Sequence, residues 1–270
     1  MNNWQIKASL FLNYFVFAIL LNSVGTVILQ VQNNYGVTPG EASVLEGYKD
    51  LSIALVSFLL SSFITRWGYK NAMLVALGLV TAVCLVVPSV PGFWATKMLF
   101  AAVGSSFALI KMSVYATIGL VTRDEKEHIS LMSFIESFFM VGIFGGYFLF
   151  AAFVDDSNLQ STLWLNLYYI LGGISFAAFI LLYNATLDES ASKSEAGRSM
   201  VDEFGQMFRL AAVPLVMVFV LCAFLYVLIE QSIMSWLPTY NQEVLRLPTS
   251  LSIQMASILA GSTALGGFVA

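Results

Sequence analysis

Eight stretches of this chain are long and apolar enough to cross a lipid bilayer: residues 8–31, 44–65, 72–90, 94–121, 129–153, 163–183, 210–236 and 250–270. A spanning helix needs about 20 predominantly apolar residues to cross about 30 Å of hydrocarbon. Backbone groups in hydrocarbon must bond within the protein, which leaves helices or closed barrels. Barrel strands would show alternating segments of about ten residues, so these unbroken runs predict helices. The expected fold is all-α and integral to the membrane. Before the first run stands one basic residue, Lys7, and no small-residue cleavage site follows it, so the run reads as a retained helix.

Composition narrows the function. The chain is 59% hydrophobic and 10% charged, with mean hydropathy +0.83, where globular proteins average about 25% charged residues. Twelve Lys+Arg against sixteen Asp+Glu give a net charge of −4, with no basic surface for nucleic acid. Cys84 and Cys222 lie inside apolar runs, which excludes a disulfide-stapled secreted module. With one His and neither a CxxC nor an HExxH motif, no metal, cofactor or catalytic set is expected.

Basic residues set the orientation. With the N-terminus in the cytoplasm, Lys7, Arg66, Lys70, Arg123, Lys126, Lys193, Arg198 and Arg209 fall inside, Lys49, Lys97 and Arg246 fall outside, and Lys111 is mid-span. The positive-inside rule favours this topology, that of a multi-pass protein of the cytoplasmic (inner) membrane. The polar stretch 184–209 reads as a cytoplasmic linker between a six-helix bundle, residues 1–183, and the start of a second bundle, residues 210–270. Ser199 with Asp202 predicts the cap of a short amphipathic helix in that linker. The second bundle weakly repeats the first: Asn22-Ser23 through Gln32-Asn33-Asn34 parallels Glu230-Gln231 through Tyr240-Asn241-Gln242. Such parallel repeats build many transporters.

Ionisable residues inside spans mark pathways by default. Glu46, Lys49 and Asp50 open the second span, with Glu46 on one helix face with both. They read either as an interfacial salt-bridged end or as a cavity mouth, and Thr38 with Glu41 predicts a capping box just before them. Lys111 lies twelve residues before Arg123 and Glu136 ten after Lys126, which puts both about 15–18 Å from the joining loop on antiparallel helices. They are expected to meet, as a coupled proton-releasing pair or as a static ion pair. Glu230, in the outer half of span seven, has no neutralising neighbour in sequence and reads as a proton or substrate site or as an interfacial Glu snorkelling to water. Span one carries Asn13, Asn22, Ser23, Thr26 and Gln30, suited to hydroxyl-rich or zwitterionic ligands or to interhelical bonds. Trp4, Trp67, Trp94, Trp164 and Trp236 sit at span ends as an interfacial belt, and Gly142, Gly145 and Gly146 permit close helix approach.

After span two the chain reads Ser61-Ser62-Phe63-Ile64-Thr65-Arg66-Trp67-Gly68-Tyr69-Lys70-Asn71. This resembles the loop signature of the major facilitator superfamily, Gly-x-x-x-Asp-Arg-x-Gly-Arg-Lys/Arg. Arg66, Gly68 and Lys70 match, while Thr65 replaces the Asp, Ser61 the first Gly and Tyr69 an Arg. The resemblance implies a gating loop that tethers neighbouring helices, without its usual acid. Glu46-Gly47-Tyr48, and Glu230 leading to Trp236-Leu237-Pro238-Thr239-Tyr240, resemble the fucose-permease-type branch of sugar:proton symporters. That branch's span-one Asp and span-four Glu are absent, and Lys111 stands near the latter position. Proton coupling therefore falls to Glu136 and Glu230. Span five partly resembles the drug-exporter antiport signature through Gly145-Gly146, but Val141-Gly142 replaces its Gly-Pro.

The resemblance implies a twelve-span, major-facilitator-type bundle with substrate and proton sites between two halves. The eight spans here would be one complete half and a third of the other, from a chain cut at its C-terminal end. The expected function is alternating-access symport of a small polar metabolite with protons by a monomer. The alternatives are drug or metabolite efflux by antiport and a non-transporting membrane sensor or scaffold. An enzyme is disfavoured, because the one His, His128, sits in a charged loop beside Glu125 and Glu127.

Overall fold

The computed structural model describes residues 4–122, 124–189, 205, 209 and 213–269, without the side chains of Ser61, Ser62, Thr65 and residues 263–269. Arg123 and the expected Ser199–Asp202 cap lie outside the described residues. In chain order the helices are α1 (Trp4–Asn22), α2 (Val24–Tyr35), α3 (Pro39–Ala42), α4 (Val44–Trp67), α5 (Tyr69–Val86), α6 (Phe93–Val121), α7 (Glu125–Ala152), α8 (Leu167–Asn184), α9 (Pro214–Glu243) and α10 (Thr249–Val269). Among the described residues six stretches are long and apolar enough to cross a membrane: Trp4–Asn22, Tyr69–Ser89, Phe93–Val121, Glu125–Ala152, Leu163–Asn184 and Pro214–Glu243. Helices α4 and α10 occupy the two other predicted positions.

Two spans differ from their sequence-based limits. The first run is two helices meeting at Ser23, whose hydroxyl donates back to the Leu20 carbonyl at 2.8 Å. Such back-bonding bends helices. The ladder nevertheless crosses the bend, because the Ser23 N–H reaches the Ile19 carbonyl at 2.9 Å. The run then continues to Tyr35 and stops at Gly36, whose left-handed φ of 61° lets its N–H return to the Gln32 carbonyl. The seventh span passes through Pro238 to Glu243 instead of ending at residue 236. Proline removes one i→i−4 bond, here the one to the Met234 carbonyl, and a helix buttressed by neighbours tolerates that loss.

The outer turn carries the predicted capping box. The Thr38 hydroxyl accepts from the Glu41 N–H, and the Glu41 carboxylate accepts from the Thr38 N–H at 2.8 Å. Those bonds hold the Glu41 carboxyl below its ordinary range. A depressed carboxylate stabilises above its unfolded pKa and is lost as pH falls through the folded one. Protection of the Thr38 amide against hydrogen exchange should therefore hold at neutral pH and be lost only on acidification below the ordinary glutamate range.

Packing centres on α1, which touches α6, α7 and α8, while α4 and α5 flank α6, and α5 also meets α8. Helix α10 lies on α7, and α9 on α2 and α10. Lipid is as apolar as leucine, so close packing and interhelical hydrogen bonds, not water exclusion, hold such a bundle. Glycines make the tight crossings. A Cβ on Gly142 would fall 2.9 Å from the Phe15 carbonyl, and one on Gly146 3.3 Å from Ile19, whereas Gly145 faces open space. The aromatic belt loses a member: Trp164 is buried, and its indole N–H donates to Asn34, whose amide N–H also reaches the Leu159 and Ser161 carbonyls. It anchors the outer turn to the end of α2.

A close crossing joins α2 to α9, where a Cβ on Gly25 would come within 2.6 Å of the Met234 carbonyl and 2.8 Å of the Ser235 Cα. Backbone cannot swing aside as a side chain can. Gly25→Val should therefore cost about 1–3 kcal/mol by overpacking, read as a lower melting temperature in detergent. Gly145→Ala should stay within about 0.5 kcal/mol.

Candidate functional site

The bend at Ser23, the seventh span and α7 enclose a cavity of about 160 Å³. Its lining is Asn22 from α1, Phe139, Met140 and Ile143 from α7, Glu230, Gln231 and Met234 from α9, and Ala260 from α10. Residues three and four apart share a helix face, so each long helix offers one continuous stripe. The structure thus brings together two of the predicted residues, Asn22 from α1 and Glu230 from α9. Asn22 spends one amide hydrogen on the Ala18 carbonyl at 2.9 Å. Glu230 is half-buried. Asn13 and Ser23 turn inward to bonds within the first bundle and do not line this cavity.

Glu136 lies one turn inward of Phe139 on α7, and its partner is not Lys111. The Tyr115 hydroxyl donates to Glu136 Oε1, and the two described ion pairs are Lys7–Glu127 and Lys49–Asp50. Tyr115, one turn from Lys111 on the same face of α6, is the residue that meets Glu136 of the antiparallel α7. Tyr14, buried on α1, stands edge-on to Tyr115 at 6.4 Å and to Phe139 at 5.7 Å. Lys111 is exposed, with its ammonium 5.8 Å from the ring of Phe107 on its own helix.

Glu46, Lys49 and Asp50 do not line the cavity. Glu46 accepts from the Ser235 hydroxyl at 2.8 Å, across the two bundles. The Lys49 ammonium lies 3.4 Å from Asp50, its side chain 5% exposed, and its backbone carbonyl is so near Gly104 that a Cβ there would fall at 2.2 Å. Glu46 belongs instead to an outer seam. In that seam Asn33 and Gln242 exchange amide bonds of 3.3 and 3.2 Å, and Gln32 donates to Thr239 at 3.4 Å. Asp156 accepts from the Ser250 N–H at 2.8 Å, at the N-terminus of α10, and from the Ser250 hydroxyl. The seam lies on the outer side, joining α2, α4 and the turn after α7 to α9 and α10.

At the inner loop, Gly68 holds φ 98° and Glu189 lies against it, leaving a Cβ there only 2.4 Å from Glu189 Oε2. The Lys70 N–H donates to Glu189 Oε1 at 2.7 Å, which places a carboxylate on the N-terminus of α5. The Lys70 ammonium donates to the Tyr183 and Ala185 carbonyls at 3.0 and 2.6 Å, at the C-terminal end of α8. Arg66 is exposed on the last turn of α4. A second inner tie, Lys7–Glu127 at 2.9 Å, joins α1 to α7. Among the described residues no three of His, Cys, Asp and Glu form a metal-holding group.

Sequence reasoning missed Tyr14, Tyr115, Phe139, Met140, Gln231, Met234, Ser235 and Glu189. Tyr115 alone left a signal, as a hydroxyl one helical turn from Lys111 on the same face of α6. Removing the carboxylate from the inner clasp, as in Glu189→Ala, should cost about 0.5–2 kcal/mol, as for a lost helix cap. Glu189→Gln, which keeps an acceptor for the Lys70 N–H, should lose less in the same melting measurement.

The model of the Major Facilitator Superfamily matches residues 10–270. No curated protein matches the chain. Among solved structures, the crystal structure of a D-xylose-proton symporter superposes with a TM-score of 0.68 at 13% identity, covering 98% of this chain and 67% of that one. At such identity the likeness is one of fold.

Proposed function

Because the chain belongs to the Major Facilitator Superfamily, we propose that it is a secondary active transporter that moves a small polar solute across the cytoplasmic membrane by alternating access, in symport with protons. A multi-pass membrane protein of a transporter family has no need of a catalytic set. The observation that carries the proposal is the cavity that faces Asn22 of one bundle with Glu230 and Gln231 of the other. Major-facilitator halves rock around a site at their interface, and this cavity lies there, beneath the closed outer seam. The gating residues Arg66, Gly68 and Lys70 lie at the opposite, inner side. There Lys70 and Glu189 fasten the loop after α4 to the end of α8.

The division of labour follows from surroundings. Glu230 shares its cavity with two amides and serves the solute. Glu136, set against Tyr115 with Tyr14 behind it and Lys111 one turn away on α6, serves the proton. Efflux by antiport on the same fold is the competing reading, and vesicles that accumulate solute only against an outward proton gradient would favour it.

The solute is found first by thermal stabilisation, since a ligand at about 100 times its dissociation constant adds about 2.7 kcal/mol. Glu136→Gln should then abolish proton-driven accumulation in proteoliposomes while sparing solute counterflow. Unchanged accumulation refutes the assignment of Glu136. Tyr115→Phe, which keeps the ring and removes the donor, should slow accumulation by about a hundredfold, the lower end of the range for a positioned proton-transfer group.

A further inference from the structure

We propose that the cavity takes a zwitterion whose opposite charges are several bonds apart, its cationic end on Glu230 and its anionic end on Lys111; this rests on the transport reading above. Phe107, Lys111 and Tyr115 lie one turn apart on α6 and share a face. Phe107 meets Phe17 of α1 at 6.0 Å and Phe139 of α7 at 6.4 Å, and Tyr115 bonds Glu136 of α7. Lys111, between them, is carried on the side that looks toward α1 and α7. It has no ion pair among the described residues, because Tyr115 holds the nearest carboxylate.

An exposed ammonium at mid-span needs an anion or water. Phe139 then links the two ends, touching Phe107 beneath Lys111 and lining the cavity that holds Glu230. Tyr115 bonds Glu136 of α7, so Lys111, one turn outward on α6, comes level with Met140, which lines the cavity with Phe139 and Glu230. That aromatic and thioether stretch between the ammonium and Glu230 suits a spacer longer than that of an α-amino acid. Asn22 and Gln231 supply hydrogen bonds at the Glu230 end.

The test measures melting temperature of the full-length purified protein with 6-aminohexanoate, hexylamine, hexanoate and D-xylose at equal concentrations, and uptake of each in proteoliposomes. The zwitterion should stabilise most, by several degrees, with either singly charged analogue well below it and D-xylose near zero. Lys111→Gln should erase the advantage over hexylamine, and Glu230→Gln the advantage over hexanoate. Lys111→Arg, which keeps the charge, should preserve the preference and guards against a variant that merely misfolds. If D-xylose or one singly charged analogue matches the zwitterion, or if both Gln variants keep the wild-type order, the proposal is overturned. Stabilisation by the zwitterion without uptake or exchange of any solute would instead overturn the transport reading and leave this one standing.

Discussion

The contact on which the site depends is a carbonyl without its helical donor. Pro238 has no N–H to give to Met234, and hydrocarbon offers no water to replace it. The Met234 carbonyl instead lies against Gly25, where the missing side chain lets two backbones meet. That distance fixes how the first and seventh spans cross. Going outward from it, Gln32 and Asn33 come into reach of Thr239 and Gln242. Going inward, the helices diverge from the bend at Ser23, and Asn22 and Glu230 line one cavity. Seam and cavity are thus two consequences of one glycine facing one proline-freed carbonyl.

The carboxylates are sorted by what surrounds them. Glu46 is spent on the seam through Ser235, Glu189 on the N-terminus of α5, and Glu136 on Tyr115. Only Glu230 among them faces the cavity with two amides. A charge taken from water costs several kcal/mol unless it is bonded, so each acid is placed where a donor already waits or where a solute can reach it. The inner loop shows the same economy: without the acid of the family's signature at Thr65, a carboxylate from the far side of α8 completes the clasp that Gly68 and Lys70 begin.

The helices were legible because each span is a one-dimensional signal, length and apolarity along the chain. Glu230 and Asn22 were legible for the related reason that a polar group in such a run stands out. What could not be read was partnership across helices. Lys111 and Glu136 match in sequence distance from their shared loop, but the offset and rotation of packed helices decide which side chains meet, and Tyr115 takes Glu136. Glu46, Lys49 and Asp50 share a face in sequence, yet the crossing at Gly104 and the reach of Ser235 separate their roles. Trp164 looked interfacial for want of any sign that Asn34 would receive it. Pro238 looked like a stop, because its compensation lies on another helix.

The chemistry of the seam explains how a bound solute can open it. Three of its six bonds are neutral amide and hydroxyl pairs and three end on the carboxylates of Glu46 and Asp156, and interhelical hydrogen bonds in membranes average about 0.6 kcal/mol. The six that join the two bundles through Gln32, Asn33, Glu46 and Asp156 therefore total about 4 kcal/mol. Driving a two-state equilibrium from one side to the other takes about 5.5 kcal/mol of differential binding. A seam of this strength closes the outer side firmly and still yields to a solute of ordinary affinity, whereas a row of buried salt bridges would not. The inner ties are charge-assisted, Lys7 to Glu127 and Lys70 to the carbonyls of α8, and both lie within the first bundle. They stiffen that bundle as a body, so movement is concentrated where the bonds are weak, at the seam above Asn22 and Glu230.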